Sequence, residues 1–161
     1  MNLLETRALP AISTRLLWEA IVDIAPTEDL GAGPLGGRAI VPIVGGRFRG
    51  GPELADFHGE VLAGGADRQL LRADGVKELD ALYEMRVHDG TLLTVRNRVI
   101  IDDPGAGPRY ALSRIHLTVP AGRWDWLNRR LFLGTLQSAR PERQAVIIRG
   151  WEAVATYPQG G

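Results

Sequence analysis

The sequence predicts an all-β, single-domain protein built as an antiparallel barrel or sandwich, with short helices at most. Three observations carry that prediction. The chain has 161 residues, one domain's worth, and no linker divides it. It holds 20 Gly and 10 Pro, above the usual combined share of about 12%, so turns are frequent and elements short. Apolar residues recur at every second position in several short runs, with no long amphipathic helix between them.

Taken in order, residues 16–24 alternate Trp18, Ala20, Val22 and Ile24 against Leu17, Glu19, Ile21 and Asp23, a strand with one apolar face. Residues 25–37 read as a loop by composition. Residues 38–46 follow as a short strand, placed at an edge or bulge by Pro42, and then a turn region from Arg47 to Phe57. One or two strands occupy 58–75, interrupted at Gly64-Gly65 and closed by a turn at Asp74-Gly75.

Residues 78–101 carry the clearest local signal, two extended runs joined by Asp89-Gly90, a type I′ hairpin pair. With those two as the loop, Met85 faces Thr94, Tyr83 faces Arg96, Leu82 faces Asn97 and Asp80 faces Val99. Each face then mixes polar with apolar, which points to a partly polar interior of the kind ligand-holding barrels have. Residues 110–119 alternate as a strand. Residues 124–133 fit a short helix through Trp124, Leu127 and Leu131, or a strand through Trp126, Asn128, Arg130 and Phe132. Residues 145–156 make a closing strand. The barrel domain is therefore drawn at 16–156, between an N-terminal segment 1–15 and a tail 157–161.

Composition narrows the chemistry. The absence of Cys removes disulfide frameworks, thiolate metal sites, thiol redox chemistry and a Cys nucleophile. Nineteen basic residues balance 19 acidic ones, so there is no global field to recruit nucleic acid or an anionic membrane, and neither is expected as a partner. The balance hides a gradient: residues 1–103 hold 11 basic and 16 acidic residues, residues 104–161 hold 8 and 3. Arg from the C-terminal strands should pair with carboxylates from the N-terminal ones. Lys77 is the one lysine. Glu5 and Arg7 interrupt the first 18 residues and no window reaches 18 uncharged apolar residues, so a soluble, cytoplasmic protein is expected.

Gly31, Gly33 and Gly36 spell G-x-G-x-x-G, but a dinucleotide site needs a helix to open at the third glycine, and Arg38 to Pro42 read as strand. Ser13, Ser113 and Ser138 lie in no nucleophile elbow. His58, His88 and His116 lack metal-ligand spacing, so no metal is expected; His58 and His116 lie within apolar alternation and are candidates to face a cavity. Among the tryptophans, whose ordinary role is packing, Trp126 is the candidate stacking wall, with Asn128 two residues on.

Gly64-Gly65-Ala66-Asp67, Asp74-Gly75, Leu79-Asp80-Ala81, Tyr83, Asp89-Gly90, Val95-Arg96-Asn97 and Trp126-Leu127-Asn128 together resemble the domain-of-unknown-function family 3237. The resemblance spans nearly the whole chain. It implies a β-barrel with a central cavity, in a family some of whose members look like cofactor-free cyclases beside small-molecule pathways. The sequence departs from the family pattern at Arg68, where an aromatic is usual, at Val99, where Gly is usual, and at Leu112 and Leu117-Thr118, where the family tends to show an Arg and a Phe-Glu pair. Asp67, Asp80 and Tyr83 match, so the resemblance implies that a shared chemistry would have to run through them.

The expectation is a cofactor-independent acid/base enzyme, an isomerase, cyclase or lyase, acting on a small, largely apolar metabolite. Asp67 is the candidate acid/base, Asp80 its substitute and Tyr83 the hydrogen-bond donor to a developing enolate or alkoxide. Arg38, His58, Asn97, His116 and Trp126 are expected to shape the site and orient the ligand. The rival expectations are a carrier that binds such a metabolite unchanged and a structural homo-oligomer pairing through strand edges.

Overall fold

The computed structural model describes residues 1–159, so Gly160 and Gly161 of the tail lie outside the described residues. The strands are β1 (Ala11–Ile24), β2 (Glu28–Gly33), β3 (Gly36–Gly50), β4 (Gly59–Val61), β5 (Ala66–Leu71), β6 (Lys77–Val87), β7 (Leu92–Asp102), β8 (Tyr110–Thr118), β9 (Phe132–Ser138) and β10 (Ala145–Thr156). A single α-helical turn, α1 (Leu3–Thr6), precedes them. All pairings are antiparallel. The strands follow one another from β1 through β10, β9, β8, β7 and β6 to β4, β5 and β3, and β3 pairs back with β1, so the sheet closes into a ring. Closure removes the open edges of the ring itself, and β2, paired only with β3, stands outside it as a free edge.

Alternation decides what fills the ring. In β1 the even-numbered set faces inward: Trp18, Ala20 and Val22 are buried, while Glu19, Ile21 and Asp23 are partly exposed. Leu17 is buried as well, at the register shift between Leu16 and Trp18 against β10. Trp18 lies directly over Gly150, where any Cβ would stand 2.3 Å from its ring, so only glycine admits this packing. One end of the ring is plugged: Phe57 packs against Phe48 and Trp124 at centroid distances of 5.0 and 5.1 Å, beside buried Leu93 and Leu127. Each such side chain contributes roughly 1.5–3 kcal/mol on burial.

Several expectations are revised. The loop after β6 has three residues, His88, Asp89 and Gly90, because only Gly90 takes a positive φ (91°) and no non-glycine does. A type I′ turn would need both central residues there; a longer loop needs only one. The pairing shifts by one residue, so Tyr83 opposes Val95 and Ala81 opposes Asn97. Both strands then sort cleanly, with Ala81, Tyr83, Met85, Val87, Leu93, Val95, Asn97 and Val99 inside and Asp80, Glu84, Arg86, Arg96 and Arg98 outside. A one-residue slip flips every side chain of one strand.

The glycine-rich stretch before Arg38 forms the exposed β2–β3 hairpin, and β3 continues through Pro42 to Gly50 where a turn was expected. Residues 124–133 divide between a 3₁₀ turn (Asp125–Arg129) and the start of β9. β1 begins at Ala11, within the segment expected to precede the barrel. The charge gradient resolves into Arg143 on Asp23, Arg149 on Glu19 and Arg123 on Asp56.

Candidate functional site

The end of the ring opposite the aromatic plug opens into a cavity of about 300 Å³. Its walls are apolar, from Val22, Ile43, Leu79, Val99, Leu136 and Ile148, and are broken by a few polar groups: Asp67, Gln69, Tyr83 and Asn97. Register fixes how these meet. Asp67 on β5 pairs with Ala81 on β6, and Ala81 pairs with Asn97 on β7, so Asp67 and Asn97 stand in one row with only a methyl group between them. Two strand spacings separate their backbones by about 10 Å. Tyr83 lies one inward-facing step deeper on β6, opposite Val95.

The polar atoms of this row are short of partners. Asp67 Oδ2 accepts a 2.8 Å hydrogen bond from Gln69 Nε2, but Oδ1 accepts none; Tyr83 Oη and Asn97 Oδ1, on the same cavity, are likewise buried and unpartnered. Buried polar groups without partners in the protein are costly and rare, and a cluster of them on one cavity wall offers hydrogen bonds to whatever fills the cavity. Burial raises the Asp67 pKa above its ordinary value, against the opposing effect of Gln69. Burial also raises the Tyr83 pKa, which keeps the phenol protonated and suits it to donate. An apolar cavity with a carboxyl group of raised pKa and a fixed phenol donor can move a proton and stabilise developing negative charge.

Asp67, Tyr83 and Asn97 are thus brought together; the other sequence candidates are not. Asp80 sits on the outer face, where Arg96 donates to it at 3.0 and 3.1 Å and lowers its pKa. It differs from Tyr83 by three positions, an odd number, so the two cannot share a face. Arg38 is exposed on β3, and His116 is exposed on β8 opposite Arg96. His58 lies at the plugged end, stacked on His88 at 4.3 Å and solvent-exposed. Trp126 belongs to the 3₁₀ turn and packs against the core. Asn128 pins that turn by bonding both backbone groups of Val119, at 2.8 and 2.9 Å. Among the described residues no three His, Cys, Asp or Glu gather as metal ligands.

The cavity mouth adds residues that the sequence patterns did not single out. Lys77 from β6, Arg109 from the loop before β8, and Arg140, Gln137 and Ser138 around the β9–β10 loop all line it. Gln69 and Lys77 carried a signal, since each lies an even number of residues from Asp67 or Tyr83 on its own strand. Arg109 and Arg140 arrive by loops, and no periodicity announces them.

A family model described as Protein of unknown function (DUF3237) matches residues 12–153. A UPF0311 protein of Rhodopseudomonas palustris (strain TIE-1) is 28% identical over 151 residues, 86% of this chain and 95% of that protein. A UPF0311 protein of Clostridium acetobutylicum is 39% identical over 66 residues, which is 41% of this chain and 39% of that protein. Of the similar solved structures, a beta-barrel like protein from Acinetobacter baumannii AYE has a TM-score of 0.77 at 24% identity, covering 91% of this chain and 99% of that chain. An enzyme from Penicillium herquei has a TM-score of 0.70 at 22% identity, covering 92% and 98%. Both structures share the barrel-like fold.

Proposed function

On the premise that this chain belongs to the DUF3237 family of β-barrel-like proteins, we propose that it is a cofactor-independent acid/base enzyme, an isomerase, cyclase or lyase, for a small, largely apolar metabolite. One observation carries the reading: Asp67 Oδ1, Tyr83 Oη and Asn97 Oδ1 are buried without partners around one apolar cavity. Asp67 gives or takes the proton, Tyr83 donates to the developing enolate or alkoxide, and Asn97 orients the ligand. The likeness in fold to a protein described as an enzyme from Penicillium herquei lends support to this reading.

The test is depletion of a metabolite from a cell extract, followed by mass spectrometry, with wild type against Asp67→Asn. The substitution removes the proton carrier and keeps the shape, so turnover should vanish while affinity stays within about tenfold. Unaltered turnover in Asp67→Asn sinks the assignment. Asp80→Asn, on the outer face, should turn over like wild type.

Binding without turnover is favoured by one observation: with Asp80 on the outside, Asp67 is, among the described residues, the one carboxylate lining the cavity, and no second carboxyl group stands beside it. A ligand that co-purifies unchanged and raises the melting temperature equally in wild type and Asp67→Asn would select that reading.

A further inference from the structure

The cavity mouth is cationic. Lys77, Arg109 and Arg140 line it, and among the described residues the cavity's one carboxylate is Asp67, deeper inside. They come from three different elements: the start of β6, the loop before β8 and the loop after β9. Elsewhere on this barrel many arginines are paired with carboxylates, as Arg15, Arg86, Arg96, Arg143 and Arg149 are, at distances from 2.5 to 3.0 Å, while others such as Arg38, Arg47 and Arg114 stand singly on the outer surface. At the mouth, among the described residues, neither Lys77 nor Arg140 has an ion-pair partner, and Arg109 reaches only Asp103 at 4.0 Å. Three cations gathered at the rim of an apolar tube, with only the distant Asp103 set against them, make a charge pattern that an amphiphile with a negative head complements.

Register supplies the ligand's length. On the inner face of β6, Tyr83, Ala81, Leu79 and Lys77 succeed one another toward the mouth. Asp67 is level with Ala81, and four residues of strand separate that level from Lys77, a span of about 13 Å. A head group held at the rim therefore places the tail of a chain of roughly that length beside Asp67 and Asn97.

We propose that the cavity takes an amphiphilic organic acid, its anionic head held by Lys77, Arg109 and Arg140 at the rim and its apolar body inside the barrel. This rests on reading the cavity as a ligand site, and adds the chemical class of the ligand. Asp67 then acts on the buried part of the molecule, away from the charged head.

The test is calorimetric titration with three probes of one chain length, octanoate, octyl phosphate and octan-1-ol. Octanoate should bind at least about tenfold tighter than the alcohol at low salt, because the charged head gains bonds that the hydroxyl does not. The advantage should shrink between about 0.05 and 0.5 M salt, while the alcohol's affinity holds. Lys77→Gln and Arg140→Gln should each cut the advantage severalfold and leave the alcohol unaffected; the salt series on the unaltered protein tests the proposal without depending on either variant. A preference for octyl phosphate over octanoate would also support an anionic head and identify it as a phosphate ester. If the alcohol binds as tightly as both anions, the head-group proposal falls and the cavity reading survives. If none of the three binds, both fall.

Discussion

Gln69 donates a 2.8 Å hydrogen bond to Oδ2 of Asp67, two residues earlier on the same face of β5, and the other carboxylate oxygen is left bare. Burial raises the Asp67 pKa and this bond lowers it, so Gln69 restrains the acid. Gln69→Leu removes the restraint. Carbon-detected titration of the Asp67 carboxyl should find its pKa higher in Gln69→Leu than in wild type; an unchanged or lower value would show that the bond does not govern the group.

The same raised pKa predicts a pH dependence of stability. A carboxylic acid whose folded pKa exceeds its unfolded one stabilises the fold fully below the unfolded value, and that contribution is lost as pH rises through the folded value. Asp67→Asn cannot ionise and escapes the loss. Its melting temperature should exceed that of wild type at pH 8, and the gap should close below about pH 4, the ordinary range of an unfolded Asp. A gap that is constant with pH would mean that Asp67 titrates alike in both states.

Tyr83→Phe separates stability from function. The hydroxyl is buried and bonds to nothing in the protein, so deleting it removes an unpaired group. Urea unfolding should show stability unchanged or raised by up to about 1 kcal/mol. Turnover or ligand affinity should fall. A clear loss of stability would reveal a partner for the hydroxyl within the fold.

Asp89 ties the three-residue loop to the aromatic plug: Oδ1 accepts from the Thr91 amide at 2.9 Å and Oδ2 from Trp124 Nε1 at 2.8 Å. These bonds hold its pKa down at about 2. The stability it supplies is present above its ordinary pKa of 3.8 and lost as pH falls toward 2. Asp89→Ala should melt below wild type at pH 7, with the difference fading at pH values near 2. Persistence of the full difference in acid would assign the effect to the turn's backbone.

Gly150→Ala should be the most damaging small substitution in β10. The added methyl would lie 2.3 Å from the ring of the fully buried Trp18, itself 5.2 Å from Phe132. Overpacking of this kind costs about 1–3 kcal/mol, readable as a lowered urea midpoint with an unchanged slope. Wild-type stability would mean that Trp18 has somewhere to go.

The ring of strands was largely legible in the sequence because inward and outward residues alternate. Ala145–Thr156 reads directly as the closing strand, and the even-numbered apolar set of β1 is the set found inside. Parity along β6 is by itself enough to separate Asp80 from Tyr83. The hairpin register was not legible, because Asp89-Gly90 serves a two-residue or a three-residue loop equally well, and the choice turns on whether Asp89 takes a positive φ. That choice reverses the facing of β7 and decides whether Asn97 shares a wall with Tyr83. Trp126-Leu127-Asn128 has the pattern of a ligand-facing motif and is the fastening of a 3₁₀ turn to Val119. Arg109 and Arg140 reach the mouth through loops whose paths depend on the closed ring, a long-range property that no local window encodes.

The aromatic plug of Phe48, Phe57 and Trp124 makes the barrel a cul-de-sac. On the proposed reading, a guest that enters tail-first must back out head-first through the same doorway, so reactant and product would queue for one passage and exclude each other. Such a vessel suits a single guest rearranged in place and leaves a second large reactant no berth. Its kinetics should accordingly show simple competition between product and reactant, with no three-body complex along the way.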